Sequence, residues 1–257
     1  MKTFIEMSVR NILFTFCLLF SSYVYSQATE VLISEAVKYE AIPNERQALI
    51  KYLEVLKIDP LNQTALIKCA SLSNSIGARE ANPASRDKYF SSAIIYASNA
   101  YKHYPNSDES CTAMAIAYGR VALTKSGKEK VSSVREIKSY AEKALKINPG
   151  NFKAWHVLGK WHYEVSNLNF IEKAAIKLFF GSLPQSSFKM ATDAYEKARK
   201  IYPTFLLNYL ELAKSHHKNN DNHKAVSMLK TLISLPAKTE DDPRIKKEAG
   251  ELLKSWQ

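Results

Sequence analysis

The chain has 257 residues, of which 46% are hydrophobic, and it carries a formal net charge of +11. Seven glycines and nine prolines are few for this length, which argues against a disordered chain and against a turn-rich all-β chain. The basic surplus permits attraction to anionic lipid, polysaccharide or an acidic protein, but no nucleic-acid-binding module is recognisable, so nucleic acid is not a predicted partner.

Residues 1–26 have the pattern of a secretory signal peptide. Lys2 and Arg10 give a basic start, residues 12–20 form an apolar run, and small residues follow it. The run is shorter than the ~20 residues that span a bilayer. We therefore expect an exported chain, periplasmic or secreted, with residues 27–257 as one mature domain. Anchorage by an uncleaved N-terminal segment is the alternative.

Four segments of the mature chain end in the same way. They read EVLKIDP, NAYKHYP, KALKINP and KARKIYP, and they finish at Pro60, Pro105, Pro149 and Pro203. Proline cannot continue a helix, and it biases the preceding residue away from helical geometry. Each segment therefore predicts a helix that ends just before its proline, with lysine near the end where the helix dipole favours a cation.

Small and large residues recur at fixed positions around these prolines. After the third proline they include Trp155, Leu158 and Gly159, and Ala191 and Tyr195 follow on the next predicted helix. This pattern resembles the tetratricopeptide repeat, a two-helix unit of ~34 residues. The resemblance implies an all-α solenoid, for which we predict about five helix pairs, because a single pair cannot bury its own apolar face.

The prolines lie further apart than one such unit allows, so the units contain insertions. Residues 77–87 and 124–133 are polar and lie between the two helices of their units, which predicts extended loops or longer helices around a loop. Residues 169–180 (NFIEKAAIKLFF) have apolar residues at helical spacing and end at Gly181. They predict an inserted amphipathic helix.

The inserted helix has an apolar side whose role is open. Its candidate lid residues are Phe170, Ile171, Leu178, Phe179 and Phe180. Packing over the core, a lid over a hydrophobic pocket and a membrane-surface face are the three interpretations.

The C-terminal end predicts one more helix. Asp242 is the predicted N-cap and Pro243 the first-turn proline of this helix, and Ile245, Ala249 and Leu252 lie on one apolar face. We predict a capping helix that closes the solenoid.

A narrower resemblance covers residues 147–253 well and the first two repeats loosely. It rests on Trp155 to Trp161 (WHVLGKW), on the inserted helix followed by GSLP, and on an acidic stretch before the last helix. This part is similar to the regulator of microtubule dynamics family, also called protein tyrosine phosphatase-interacting protein 51-like, in what looks like a bacterial exported version. The resemblance implies a non-enzymatic domain, with phospholipid binding or transfer at organelle contact sites credited to some animal members. The export signal, and the lack of an acidic FFAT-like motif, argue against carrying microtubule or tethering roles over.

Motifs for chemistry are lacking in the sequence. There is no phosphate-binding glycine loop, no GxSxG, no HExxH and no CxxC, so we predict no catalytic residue, no metal and no cofactor. His216, His217 and His223 are interpreted as core and loop residues. Cys69 and Cys111 are interpreted as buried apolar residues, with a disulfide as the alternative in an oxidising compartment.

In tetratricopeptide proteins the first helices line a concave groove. Carried onto this chain, the groove-binding candidates are Asn74, Lys153, His156, Lys160, Tyr163, Lys214 and His217. The three lysines would suit a carboxylate or phosphate group. The predicted function is a scaffold that binds a protein or peptide partner in the groove. The alternative is a carrier or sensor of an anionic phospholipid or another apolar ligand beneath the inserted helix.

Overall fold

The computed structural model describes residues 27–181 and 183–256, and within them every element of regular secondary structure is a helix. The predicted signal peptide, residues 1–26, lies outside the described residues. None of the described helices has both the length and the apolar character that crossing a membrane requires.

Twelve helices follow one another in the described chain. The described part of α1 covers residues 27–41. The others are α2 (Glu45–Ile58), α3 (Gln63–Arg79), α4 (Pro83–His103), α5 (Asp108–Thr124), α6 (Gly127–Ile147), α7 (Phe152–Asn167), α8 (Phe170–Phe180), α9 (Phe188–Ile201), α10 (Leu206–Lys218), α11 (Asn222–Ser234) and α12 (Asp242–Trp256).

The four proline-terminated helices are confirmed. Helices α2, α4, α6 and α9 each end two residues before the proline that predicted their end. The residue after each helix closes its last turn, as when the backbone N–H of Asp59 donates to the carbonyl of Val55 at 2.8 Å. The proline then prevents further winding because it has no N–H to donate.

The helices form five antiparallel pairs in two layers, as predicted. The pairs are α1–α2, α3–α4, α5–α6, α7–α9 and α10–α11. The first helices of successive pairs contact one another, from α3 through α5 and α7 to α10 and then α12. Within the described chain, the second helices of neighbouring pairs are not packed on one another. The array therefore curves toward α3, α5, α7, α10 and α12. These helices have one side that faces away from the second helices of the pairs, and we call that side the inner face.

Small residues allow the paired helices to approach closely. A Cβ atom built on Gly159 of α7 would lie 2.7 Å from the ring of Tyr195 on α9. Tyr195 is fully buried and packs with Ala191 and Leu212, which belongs to α10. The Leu-Gly element of the repeat is thus the contact point between α7 and its partner helix.

The polar insertions lengthen helices rather than loops. Three residues join α3 to α4, and α4 runs for 21 residues from a proline in its first turn. Two residues join α5 to α6, which is also 21 residues long. Of the two predicted alternatives, longer helices around a short loop is the one observed.

The inserted helix α8 is confirmed, but its apolar side is not covered. Asn169 and Glu172 form a reciprocal capping box at its start, and Gly181 follows its end with φ of 75°. Phe170, Ile171 and Leu178 are 84%, 77% and 76% exposed. These three side chains therefore neither pack over the core nor close a pocket in this structure. The side chains of the other two lid candidates, Phe179 and Phe180, lie outside the description.

The capping helix α12 is also confirmed, with one difference at its start. Ile245 and Ala249 pack into the cluster formed by α10 and α11. Asp242, predicted to cap the helix, is instead its first residue, and its carboxylate accepts the backbone N–H groups of Lys238 and Thr239 at 2.7 and 2.8 Å. The carboxylate of Asp242 thus shapes the loop before α12.

Candidate interaction face

Two polar stripes meet where α7 and α10 adjoin on the inner face. His156, Lys160 and Tyr163 recur every three or four residues along α7, which places them on one side of the helix. Asn208, Glu211 and Ser215 do the same on α10. A hydrogen bond between the side chains of α7 and α10 joins the stripes at His156, and an ion pair joins them at Lys160.

His156 is held as a neutral imidazole. The amide nitrogen of Asn208 donates to the carbonyl of Tyr195 at 2.9 Å, which leaves the Asn208 amide oxygen to accept from His156 Nδ1 at 3.0 Å. Burial lowers the pKa of His156, since a charged ring would lose its hydration there. This histidine therefore connects α7 to α9 and α10 and is not presented to a ligand.

Glu211 lies at the centre of an ion-pair network. Its side chain is 7% exposed and contacts Lys160 at 2.8 Å and Lys214 at 3.3 Å. Burial alone would raise the pKa of Glu211, but the two ammonium groups outweigh it and hold that pKa below its usual range. Lys160 also pairs with Glu164 at 2.9 Å, and Lys214 with Glu248 at 2.7 Å. The network joins α7, α10 and α12.

The phenol of Tyr195 lies beside this network. Its hydroxyl is buried and has no hydrogen-bond partner in the described part of the chain. Tyr163, one turn from Lys160, packs edge-on against Phe188 with ring centroids 5.5 Å apart. Lys160, Tyr163 and Lys214 thus lie close together around Glu211.

Lys153 and Arg120 are two cations of the inner helices that form no salt bridge with a described residue. Among the described residues, no carboxylate lies within salt-bridge distance of Lys153 on α7 or of Arg120 on α5. Their recorded contacts are with aromatic rings, Lys153 with Phe152 at 5.9 Å and Arg120 with Phe90 at 5.5 Å. Lys153 is exposed, yet desolvation by the neighbouring protein lowers its pKa against the opposing charges of Glu109 and Glu40. Desolvation also lowers the pKa of Arg120, against the opposing charge of Asp241.

The three predicted groove lysines do not form one cationic site. Lys160 and Lys214 are neutralised by carboxylates of the chain itself. Lys153 lies at the start of α7, where the nearby charge of Lys68 adds to the lowering of its pKa. Lys153 is the one of the three that forms no salt bridge with a described residue, although Glu109 and Glu40 act on it at longer range.

The remaining two groove candidates, Asn74 and His217, have local partners. Asn74 is buried in α3 and donates to the carbonyl of Ala70 at 3.0 Å. The ring of His217 stacks on Trp256 with centroids 4.1 Å apart. Neither residue belongs to the ion-pair network around Glu211, because Asn74 is buried in the core and His217 packs against Trp256 at the end of α12.

A four-residue contact, which we call the clasp, joins the two ends of the array. The guanidinium of Arg79, at the end of α3, contacts Glu45 at 2.6 Å, Glu240 at 3.0 Å and Asp241 at 3.1 Å. The backbone N–H of Glu45 also donates to Glu240 at 2.7 Å. The loop before α12 is therefore tied to the start of α2 and the end of α3.

Neither cysteine is bonded in the structure. Cys69 packs in the core of the first two pairs, and Cys111 packs in the core of the third pair. Burial raises the pKa of Cys69 to about 12. Of the two alternatives, buried apolar residues is the one observed.

Comparison with known proteins decides the family. The family model for regulator of microtubule dynamics protein 1-3 matches residues 32–257. The chain belongs to this family. The match includes the first helix pairs, which the sequence resemblance covered only loosely.

Regulator of microtubule dynamics protein 1 of Bos taurus is 30% identical over 168 residues, which are 64% of this chain and 52% of that protein. The Caenorhabditis elegans protein of the same name is 27% identical over 139 residues, 54% of this chain and 62% of that one. The chain thus spans about half the length of the mammalian protein 1 relatives that it matches.

Solved structures share the fold. A thermophilic tetratricopeptide protein of Thermus thermophilus superposes with a TM-score of 0.62 at 13% identity, over 88% of this chain and 98% of that one. PilW, described as a type IV pilus biogenesis factor, gives a TM-score of 0.55 at 18% identity and covers 90% of both chains. The tetratricopeptide-like solenoid predicted from the sequence is confirmed for this family member.

Several residues that shape the inner face were not predicted. Glu211 and Asn208 could have been found, because their spacing with Ser215 marks a polar stripe on an otherwise apolar helix. Arg79 and Arg120 had no such signal. Their partners and neighbours belong to helices far away in the sequence.

Proposed function

We propose that this family member is a non-enzymatic scaffold that binds an extended segment of a partner protein along its inner face, in the cell envelope. The observation that carries the proposal is the state of the inner-face cations. Lys153 and Arg120 form no salt bridge with a described residue, although Glu109 and Glu40 act on Lys153 and Asp241 acts on Arg120 at longer range. Lys68, Arg79, Lys160 and Lys214 each have a carboxylate at salt-bridge distance. A bound segment would supply the missing partners.

The curvature of the array supports this location for a partner. Contacts between successive first helices leave a continuous surface that runs from α3 to α12. An extended chain on that surface can contact several helices at once, as concave surfaces of solenoids allow. The predicted signal peptide supports a site outside the cytoplasm.

The chemistry of the inner face supports binding rather than catalysis. His156 and Glu211 are two buried titratable groups of α7 and α10 that an enzyme could employ. Both are engaged, His156 with Asn208 and Glu211 with two lysines. Neither is placed to exchange a proton with a bound molecule.

The lipid-carrier alternative has less support. It requires the apolar side of α8 to cover a ligand, whereas Phe170, Ile171 and Leu178 are largely exposed to solvent. No observation on the described residues favours it over the scaffold.

Site-specific photo-crosslinking tests the scaffold proposal. A benzoylphenylalanine replaces Tyr163 on the inner face, and a matched variant carries it at Ile95, which is 57% exposed on the second helix α4. In cells of the organism that encodes the chain, irradiation is expected to give a discrete protein adduct from position 163 and none from position 95. Adducts of equal yield at both positions, or none at position 163, would contradict the proposal.

A further inference from the structure

The side of α8 that faces solvent carries a continuous apolar stripe. Phe170, Ile171 and Leu178 are 84%, 77% and 76% exposed, and Ala174 and Ala175 are exposed between them. At 3.6 residues per turn, these five side chains occupy one arc of about 140° around the helix axis. A stripe of this width on a surface helix normally faces a protein core. Here it faces away from the described chain, so it is available to something outside it.

The position of α8 in the array explains why its stripe is turned outward. The helix contacts α6, and a Cβ atom built on Gly181, directly after α8, would lie 3.4 Å from the guanidinium of Arg135 on α6. Ile176, on the side of α8 opposite the stripe, is partly buried. Because α6 is a second helix, α8 lies away from the inner face.

Lysines surround the stripe. The turn between α5 and α6 lies at the same edge of the array, since it and α8 each connect the first helix of a pair to the second. Residues 123–130 and 169–181 together contain five lysines and two glutamates. Glu129 pairs with Lys125 at 3.1 Å, and Glu172 belongs to the capping box of α8. The exposed side chains of this edge also include Leu123, Lys128, Lys130 and Lys177. The edge therefore combines an apolar stripe with a surplus of positive charge.

We infer that this edge docks on the surface of an anionic membrane, with α8 lying parallel to the bilayer plane. Phe170, Ile171 and Leu178 enter the boundary between headgroups and acyl chains, and the neighbouring lysines pair with lipid phosphates. The 11 residues of α8 span about 16 Å, less than the ~30 Å of a hydrocarbon core, so the helix lies on the bilayer and does not cross it. Docking in this way leaves the inner face open to a partner, so the membrane role and the scaffold role are independent.

A second copy of the chain fits the stripe less well than a membrane does. The exposed side of α8 is about 16 Å long and about 10 Å wide, whereas a stable protein–protein interface buries about 800 Å² on each partner. A symmetric pair would also bring two lysine-rich edges together, and like charges repel. An anionic bilayer accepts a small apolar face and supplies the opposite charge.

A fluorescent amino acid whose emission shifts to the blue in apolar surroundings tests the inference directly. Protein purified from cells expressing the whole chain carries it at Ala174 in the stripe, or at Ile95 on α4, which is 57% exposed. On vesicles of phosphatidylcholine and phosphatidylglycerol in equal parts, we expect a blue shift at position 174 and none at position 95. Since the probe reports on its own position, attachment through another part of the chain does not produce this result.

Co-sedimentation with the same vesicles tests which side chains bind. Replacing Phe170, Ile171 and Leu178 together by Ser is expected to weaken binding by about tenfold or more, because the apolar contact with the acyl boundary is lost. Lys177→Gln is expected to weaken it by about fivefold, and to have little effect on vesicles of phosphatidylcholine alone. Lys146→Gln is the matched control, because Lys146 is exposed at the opposite end of α6 and is expected to leave binding unchanged.

Bound protein without a blue shift at position 174, equal binding by the triple Ser variant, or no binding to the anionic vesicles overturns the inference. So does a wild-type dimer that the triple Ser variant converts to a monomer while neither binds vesicles, which would assign the stripe to a second copy. The scaffold proposal is tested separately by the crosslink at position 163. A crosslinked protein there, without vesicle binding, would leave the scaffold standing and remove the membrane role.

Discussion

Arg79, at the end of α3, forms a salt bridge of 3.1 Å with Asp241, which precedes α12 and lies 162 residues further along the chain. The same guanidinium holds Glu45 and Glu240, so three carboxylates from two distant segments depend on one cation. Burial raises the pKa of Glu45, because the carboxylate is partly removed from water there. Removal of the Arg79 side chain would therefore leave the three negatively charged carboxylates of the clasp close to one another without a cation.

Arg79→Ala is expected to lower the free energy of unfolding by about 1–3 kcal/mol, since it leaves partly buried carboxylates without their cation. Urea denaturation followed by circular dichroism measures the change. Arg244→Ala is the control, because Arg244 is 63% exposed in its side chain and its contacts are 3.6 and 3.8 Å long. That variant is expected to change stability by less than about 0.5 kcal/mol. Equal losses in both variants would show that the clasp contributes no more than a surface pair.

Gly159→Ala is expected to destabilise the fold by about 2 kcal/mol or more. The new methyl group would lie 2.7 Å from the ring of Tyr195, which is fully buried and cannot move away without opening the α7–α9 contact. Gly119→Ala is the matched control within α5, where an added Cβ meets no atom within 4 Å. Alanine there is expected to stabilise the helix by up to about 1 kcal/mol. Thermal melts of both variants test the pair, and a stable Gly159→Ala protein would show that α7 and α9 are further apart than described.

Replacing Phe170, Ile171 and Leu178 together by Ser is expected to change the free energy of unfolding by less than about 0.5 kcal/mol. The three side chains are largely exposed, so the folded state loses little buried apolar area. Urea denaturation of the triple variant gives the value. A loss of several kcal/mol would mean that α8 buries these residues against the core or over a ligand.

The stability of the chain is expected to fall as the pH drops below about 6.5. Burial lowers the pKa of His156, and burial also lowers the pKa of His162. The unfolded chain, whose histidines have a pKa of about 6.5, then binds protons more readily than the folded chain, so acid favours unfolding. The stability that the two neutral rings provide is fully present above that pH and decreases below it.

Urea midpoints measured from pH 8 to pH 5 test this dependence. His156→Gln keeps a donor for Asn208 but cannot titrate, so its curve is expected to be flatter than that of the wild type between pH 7 and pH 5. The double variant with His162→Gln should be flatter still. An unchanged slope in both variants would assign the acid sensitivity to other groups.

The sequence predicted those parts of the fold that depend on local rules. Four helix ends were correct because proline acts within one turn of its own position, and α8 was correct because Asn169 and Gly181 bound an amphipathic run. The family was also predicted from a local pattern, the WHVLGKW element. This element contains Gly159, the residue that contacts Tyr195.

The inner face was predicted less well, because its chemistry depends on which charges meet across helices. The sequence shows three lysines but does not show that Glu211 lies between Lys160 and Lys214. It shows apolar residues on α8 but does not show that the neighbouring helices leave them exposed. The clasp joins residues 162 positions apart, and no local pattern links Arg79 to Asp241.

The clasp has a consequence for how this protein can vary in size. An extra hairpin inserted into the row would move α12 away from the first hairpin and separate Arg79 from Asp241. Additional length is accommodated without that cost when it lies inside a hairpin. The second and third pairs contain their extra residues inside the hairpin, in the lengthened helices α3 to α6. The fourth pair contains its extra residues as α8, between α7 and α9. A closed array of this kind can gain residues within its repeats while the number of repeats stays fixed.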